Sequence, residues 1–253
     1  MKFSIVTVCW NSAAVLPRAR DSLSAQTCRD YEWVVVDGAS TDGTMEIVRD
    51  FDAAPVASVS EPDKGIYDAM NKGVRMARGE YVFFLNSDDA LHDPDVLADV
   101  ARILVAQPAA DLLYGNVVYA YPSRKVLRTF AHINGLTLPF ENLCHQAVFA
   151  RRVLFDSVGT FDTRFRLSAD YDWLIRVFRS GARTRWIDRR VAQFTAGGAH
   201  AQDARKLADE NRQVRLQYLS PLALRVGDLA RRIRHRYHRH FRAHPLGQPP
   251  IES

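Results

Sequence analysis

An α/β fold with a mostly parallel central sheet, helices on both faces and a helical, basic C-terminal extension is predicted by three features of the sequence. Short β-branched or apolar runs alternate with segments of helical period through the first half of the chain, the pattern of consecutive βαβ units. The runs "VVV" at 34–36 and "YVFFL" at 81–85 are continuous rather than alternating, as in strands covered on both faces. Charge is unevenly placed: Arg225 to Arg242 hold seven arginines and three histidines against one aspartate, so the tail carries the net charge of +5 and the remainder is nearly neutral.

Taken in order, strands are expected at 3–9 (FSIVTVC), 31–37 (YEWVVVD), 56–61 (VASVSE), 80–86 (EYVFFLN) and 111–120 (DLLYGNVVYA). Between them, helices are expected at 13–26, 44–51, 65–77 and 93–106. In the third of these, Ile66, Met70, Val74 and Ala77 recur at helical spacing and should face the core. Beyond residue 120 the pattern predicts strands at 126–130 and 146–150, then a helix over 171–180 stopped by Gly181. Two more helices follow, 203–218 and 222 to about 240, separated by Pro221, and "HPLGQPPIES" reads as a disordered end. Residues 1–220 are therefore one expected domain and 221–253 a basic amphipathic helix with its tail.

With 253 residues, 47% hydrophobic and 25% charged, the chain has ordinary globular composition. Three cysteines, odd in number and without metal-type spacing, favour a reducing compartment and hence a cytoplasmic location. The apolar run after Met1 is too short for a signal peptide and ends in a polar turn, and no segment approaches a membrane span.

Ligands of open α/β sheets bind beyond the carboxyl ends of the strands. That rule collects Thr7 and Asn11, Asp37, Asp63 and Lys64, and Asn86, Ser87, Asp88 and Asp89 at one rim. Asp37 precedes Gly38, which permits close backbone approach to a ligand; it reads as a nucleotide contact or as a turn aspartate. Adjacent Asp88 and Asp89 repel each other unless water or a cation relieves them. On extended backbone the two diverge while Asn86 and Asp88 share a side. One carboxylate can then hold a divalent cation, and oxygen ligation suits Mg²⁺ or Mn²⁺ bridging to a diphosphate. The helix start at Asp93-Pro94 already has its cap. Neither G-x-G-x-x-G nor a P-loop motif is present.

"SIVTVCWN", "EWVVVDGASTDGT", "SEPDKGIYDAMNKGVRMARGEYVFFLNSDD" and "LSADYDWLIR" together resemble the inverting, nucleotide-sugar-dependent family-2 glycosyltransferases of GT-A (Rossmann-like) fold, over roughly residues 3 to 195. The resemblance implies metal-assisted transfer of a sugar from a nucleotide donor, with UDP-sugar expected, to a hydroxyl of a glycan or lipid-linked glycan. It implies that Asp37 contacts the base with Thr7 and Asn11 in the same pocket, that Asp88 binds ribose, that Asp89 carries the metal, and that Asp170 is the general base. Two departures stand out. Asn86 occupies the first position of the family's D-x-D, and Ala169-Asp170 replaces its Glu-Asp pair.

From the residues alone, Asp170 and Asp172 are equally good helix-start aspartates. Tyr67 and Asn71, one turn apart, read as donor-facing or as plain helix surface. His145 reads as structural or as a neighbour of the acceptor or diphosphate, and His200 less so. Trp10 and Trp173 read as core or as stacking rings. In the tail, Leu222, Val226, Leu229, Ile233, Tyr237 and Phe241 form an apolar stripe. It fits an anionic membrane surface, on the inner face of the cell membrane, or packing on the domain; no nucleic-acid recognition motif accompanies the charge. Alternative functions are a silent nucleotide-sugar binding protein and a membrane adaptor. A nucleotidyltransferase would need a Gly-rich loop after the first strand, which "TVCWNSAAVL" lacks.

Overall fold

The computed structural model describes residues 1–195 and 203–241. Its first half is the expected strand and helix alternation: β1 (Phe3–Cys9), α1 (Leu16–Ser24), β2 (Tyr31–Asp37), α2 (Thr44–Arg49), β3 (Val56–Ser60), α3 (Ile66–Met76), β4 (Tyr81–Phe84), β5 (Ala90–Leu91) and α4 (Val96–Ala106). There follow β6 (Leu112–Tyr121), β7 (Arg124–Arg128), β8 (Val148–Arg151), α5 (Val153–Ser157), α6 (Ala169–Arg179), β9 (Thr184–Thr195), α7 (Ala204–Tyr218) and α8 (Pro221–Phe241). His200 and the expected disordered end lie outside the described residues.

One sheet runs β3-β2-β1-β4-β8-β6-β9-β5, with β7 paired to β6. The four N-terminal strands are mutually parallel, as continuous apolar strands covered on both sides should be. β8 then enters antiparallel between β4 and β6. Alternation along β1 sends Ile5 to one face and Val6 to the other, and two separate cores result. Phe3, Ile5, Trp33, Val35, Phe83 and Leu97 fill the side covered by α1 and α4. Val6, Val34, Met70, Val82 and Trp173 fill the side covered by α3 and α6. Trp173 is thus core.

Besides the short β5 and α5, which the sequence pattern does not predict, three elements depart from expectation. β9 was unforeseen because "IDRRV" interrupts its apolar pattern at 187–191. Those polar residues serve a bulge opposite Tyr114–Asn116. Asp188 accepts from Asn116 Nδ2 (3.0 Å), and Arg189 pairs with Asp93 (2.5 Å) and Asp99 (2.8 Å) at the start of α4. Gly115 is required there, since a Cβ would lie 2.5 Å from the Arg189 carbonyl oxygen. β8 begins at Val148 because His145–Ala147 forms a 3₁₀ turn, and β7 lies two residues earlier than expected.

α3 crosses β1 closely: a Cβ on Gly73 would collide with the Val6 side chain, itself 1% exposed and fixed in the sheet. Gly73→Ala should therefore lower the denaturant midpoint. The overpacking cost of about 1–3 kcal/mol is set against roughly 1 kcal/mol gained in helix propensity; urea unfolding with unchanged m-value is the measurement.

Candidate active site

Strand order places β1 between β2 and β4, so the chain reverses its direction of travel across the sheet at β1, where α/β proteins bind ligands. Cys9 is level with Asp37, Asp37 with Ser60, and Val6 with Phe84. The ends of β2 and β4 are thus two strand spacings apart across the sheet, about 10 Å, with β4 ending three residues sooner, and the polar residues that follow them share one rim.

On the β2 side two of the expected site residues are buried. Asp37 is fully buried. Its carboxylate accepts from the Ser40 backbone N–H (2.9 Å), the Ser40 hydroxyl, the Ser60 hydroxyl (2.6 Å) and, more weakly, Cys9 Sγ (3.6 Å). With these bonds Asp37 organises the 38–41 loop at the end of β2. Burial, then the Asp37 charge, raises the Cys9 thiol pKa. Thr7 is likewise fully buried, and its hydroxyl accepts from Trp33 Nε1 at 2.9 Å on the far face of the sheet. Asn11 does reach the rim. It adopts a left-handed conformation (φ 46°) and accepts from the Thr41 N–H at 3.0 Å, while its own N–H donates to Ser40 Oγ at 2.7 Å.

The exposed features here are Trp10, 69% accessible, and Lys64. A Cβ on Gly38 would lie 2.9 Å from Asp63 Oδ2 and 3.3 Å from the Trp10 ring. Gly38 is thus the bare floor between an aromatic face and a carboxylate. Asp63 in turn receives the Gly65 N–H (2.7 Å), which shapes the turn carrying Lys64.

On the β4 side, the paired aspartates differ in burial. Asp89 is fully buried; its Oδ2 accepts from Gln146 Nε2 (2.9 Å) and its Oδ1 from the Thr195 N–H (2.7 Å). Desolvation first, then the neighbouring Asp88 charge, push Asp89 up to about 7, against the pull of those two donors. With a donor on each oxygen, Asp89 anchors the turn after β4 to Gln146 and Thr195. Asn86, Ser87 and Asp88 are each partly exposed. Burial raises the Asp88 pKa, and the Arg18 guanidinium opposes the shift. Thr195 knits the corner together: its hydroxyl accepts from Arg18 Nη1 (2.7 Å) and donates to the Asp88 carbonyl (2.6 Å).

At α6 the structure separates the two aspartates that sequence left equal. Asp172 is structural, accepting from Arg176 Nε (2.9 Å) and the Tyr218 hydroxyl (2.6 Å). Asp170, 7% exposed, turns the other way. The Tyr67 hydroxyl donates to its Oδ1 at 2.7 Å and His145 Nδ1 lies 2.8 Å from its Oδ2. His145 Nε2 continues to Asn86 Oδ1 at 3.5 Å. Burial and the Asp170 charge raise the Tyr67 pKa well above the ordinary phenol value, so the hydroxyl stays a donor. Asn71 does not face a ligand. Its amide is spent on the Phe161 backbone, donating to the carbonyl and accepting from the N–H, both at 2.9 Å.

Sequence reasoning missed Arg18 and Thr195, and it read Gln146 beside His145 as a neighbour of the acceptor or diphosphate without its bond to Asp89. Arg18 had a readable signal, since the first turn of α1 must return to the rim that β1 reaches. The bonds of Gln146 and Thr195 to Asp89 had none, because that partner is distant in the chain.

Among the described residues no cluster of three or more His, Cys, Asp or Glu is placed to hold a metal ion. The accessible oxygen donors are the Asp88 carboxylate and the Asn86 amide. Such a set fits Mg²⁺ or Mn²⁺, which take few protein ligands where phosphate oxygens supply the others.

A sequence model described as glycosyl transferase family 2 matches residues 4–137, just over half of the 253-residue chain. The protein belongs to glycosyl transferase family 2. A "PGL/p-HBAD biosynthesis glycosyltransferase" of Mycobacterium bovis (strain BCG / Pasteur 1173P2) is 40% identical over 202 residues, covering 78% of this chain and 77% of that one. "Glycosyltransferase AglE" of Haloferax volcanii is 26% identical over 190 residues, 70% of this chain and 62% of the other. In fold, the chain superposes on TarS residues 1–349 from S. aureus in complex with UDP-GlcNAc, with TM-score 0.70 and 22% identity, over 85% of this chain and 65% of that one. The mannosyltransferase PcManGT from Pyrobaculum calidifontis, in complex with GDP-Man and Mn2+, gives TM-score 0.68 at 20% identity, over 91% and 68% of the two chains. The family-2 chain thus has the GT-A fold and is a glycosyltransferase.

The contrast between buried Asp89 and rim-exposed Asp88 is testable. Asp89→Ala strands two buried donors and should cost about 1–3 kcal/mol of stability. Asp88→Ala should leave the melting temperature within a degree or two, about 0.5 kcal/mol or less. Parallel thermal melts of the two variants check the assignment.

Proposed function

We propose that this glycosyltransferase moves one sugar from a nucleotide-sugar donor to a hydroxyl of a glycan or lipid-linked glycan, with inversion and with a divalent cation at the leaving diphosphate. A single geometric fact carries the reading. The Asp170 carboxylate and the Asn86–Asp88 turn are one side chain apart, joined through the His145 imidazole, so a proton acceptor and a diphosphate seat face the same small volume. The donor class is supported by the fold relatives with UDP-GlcNAc and with GDP-Man and Mn2+. UDP-sugar is the reading carried from the sequence resemblance.

On this reading the acceptor oxygen attacks the anomeric carbon as the bond from that carbon to the diphosphate oxygen breaks. The acceptor proton passes to Asp170. Tyr67 and His145 hold that carboxylate from two sides and fix its orientation. A carboxylate in hydrogen-bonding reach contributes about 10² to 10⁴ in rate. A single displacement with a base and no enzyme nucleophile inverts the centre.

Negative charge that builds on the departing diphosphate meets Arg18 and Lys64, the cationic side chains at the rim. When bound at Asp88 and Asn86, Mg²⁺ or Mn²⁺ supplies Lewis-acid stabilisation of that charge. Trp10 offers its exposed face beside the bare Gly38 backbone to the nucleoside.

Two measurements test the proposal. Asp170→Asn should lower kcat for transfer by about 10² to 10⁴ with KM for the donor little changed; full activity in the variant removes Asp170 as base. In thermal-shift experiments one nucleoside diphosphate should raise the melting temperature only when Mn²⁺ is present, since a ligand that binds only the native state stabilises it. Asp88→Ala should abolish that shift, and a shift of equal size without metal would rule out the cation's part.

A further inference from the structure

We infer that α8 docks the protein on an anionic lipid surface through an apolar stripe that the catalytic domain leaves uncovered. The stripe is Leu222, Val226, Leu229 and Ile233, which are 72%, 60%, 58% and 61% exposed. At 100° per residue these four fall within about 60° of one another on the helix, a continuous aliphatic edge rather than scattered exposure.

The helix is held to the domain by its opposite face. Leu224 is 7% exposed, and Gly227 presses so closely on the Phe140 ring that any side chain there would collide with it. Asp228 pairs with Arg215 of α7 at 3.0 Å. Packing on the domain therefore explains Leu224 and Gly227 and leaves the stripe without a partner among the described residues. No helix among the described residues is long and apolar enough to cross a membrane. A helix of 21 residues with one apolar edge and a basic remainder has the pattern of helices that lie in the interface plane.

Charge selects the occupant. Arg225 to Arg242 contain seven arginines and one aspartate. A second copy seated on the stripe would bring two such arginine sets together, whereas an anionic leaflet neutralises them. Nucleic acid would satisfy the arginines but give four exposed aliphatic side chains nothing to bury against. The inference rests on the helix alone and not on the proposed transfer reaction.

The test is flotation of the full chain with vesicles of phosphatidylcholine alone and of phosphatidylcholine mixed with phosphatidylglycerol. The wild type should float with the anionic vesicles and not with the neutral ones, and added salt should release it. A variant carrying Leu222→Gln, Val226→Gln, Leu229→Gln and Ile233→Gln should partition at least about tenfold less, and a variant carrying Arg225→Gln, Arg231→Gln and Arg232→Gln should also lose binding. Metal-dependent nucleotide shifts should be unchanged in both variants, which separates a failure here from a failure of the transfer reading. Equal flotation with neutral vesicles overturns the proposal, as does anionic binding that survives loss of the stripe. So does a dimer in light scattering without lipid that disappears in the stripe variant.

Discussion

The site depends on a buried carboxylate held by two donors from elsewhere in the chain. Asp89 ends the turn after β4, and the groups that hold it come from the segment before β8 and from the last residue of β9. Desolvating a charge is costly unless it is paired or hydrogen-bonded; here two hydrogen bonds offset part of that cost and align three strands at one corner. Asp88 is presented at the rim because its neighbour is held beneath it. The repulsion between adjacent carboxylates is met by division of labour, one facing inward to donors and the other outward beside Arg18.

A second division of labour orders α6. Its first turn carries two aspartates on different faces. Asp172 ties α6 to α7 through Tyr218 and to itself through Arg176. Asp170 faces the crevice, where Tyr67 and His145 converge on it. The side chains around the proposed base are therefore mostly rigid, buried groups whose own positions are fixed by packing, which is how a reacting geometry is kept to a fraction of an ångström.

The fold was legible where local pattern suffices. Continuous apolar runs identified β1, β2 and β4 as central strands, and the rule for strand ends collected nearly the right rim. Which member of that rim faces a ligand was not legible. Asp88 and Asp89 are chemically identical neighbours, and what distinguishes them is contact with Gln146, 57 residues away, and Thr195, 106 residues away. Asp37, Thr7 and Asn71 share the same difficulty: each has a residue type suited to a ligand, and each spends its hydrogen bonds on distant parts of the fold. β9 escaped notice because its arginines read as surface until the bulge and the α4 start that they serve are seen. Trp10 went the other way, an aromatic whose type favours the core and whose position exposes it.

α3 connects the two ends of the crevice. The turn before it bears Lys64, Tyr67 in its first turn grips Asp170, and Asn71 one turn later clamps the Phe161 backbone. A helix is stiff, so its first turn moves as one piece: a displacement imposed on the 63–65 turn carries Tyr67 with it and reaches the Asp170 carboxylate through the Tyr67 hydroxyl. The clamp at Asn71 opposes such a displacement, so Asp170 is held in place from α3 as well as from α6.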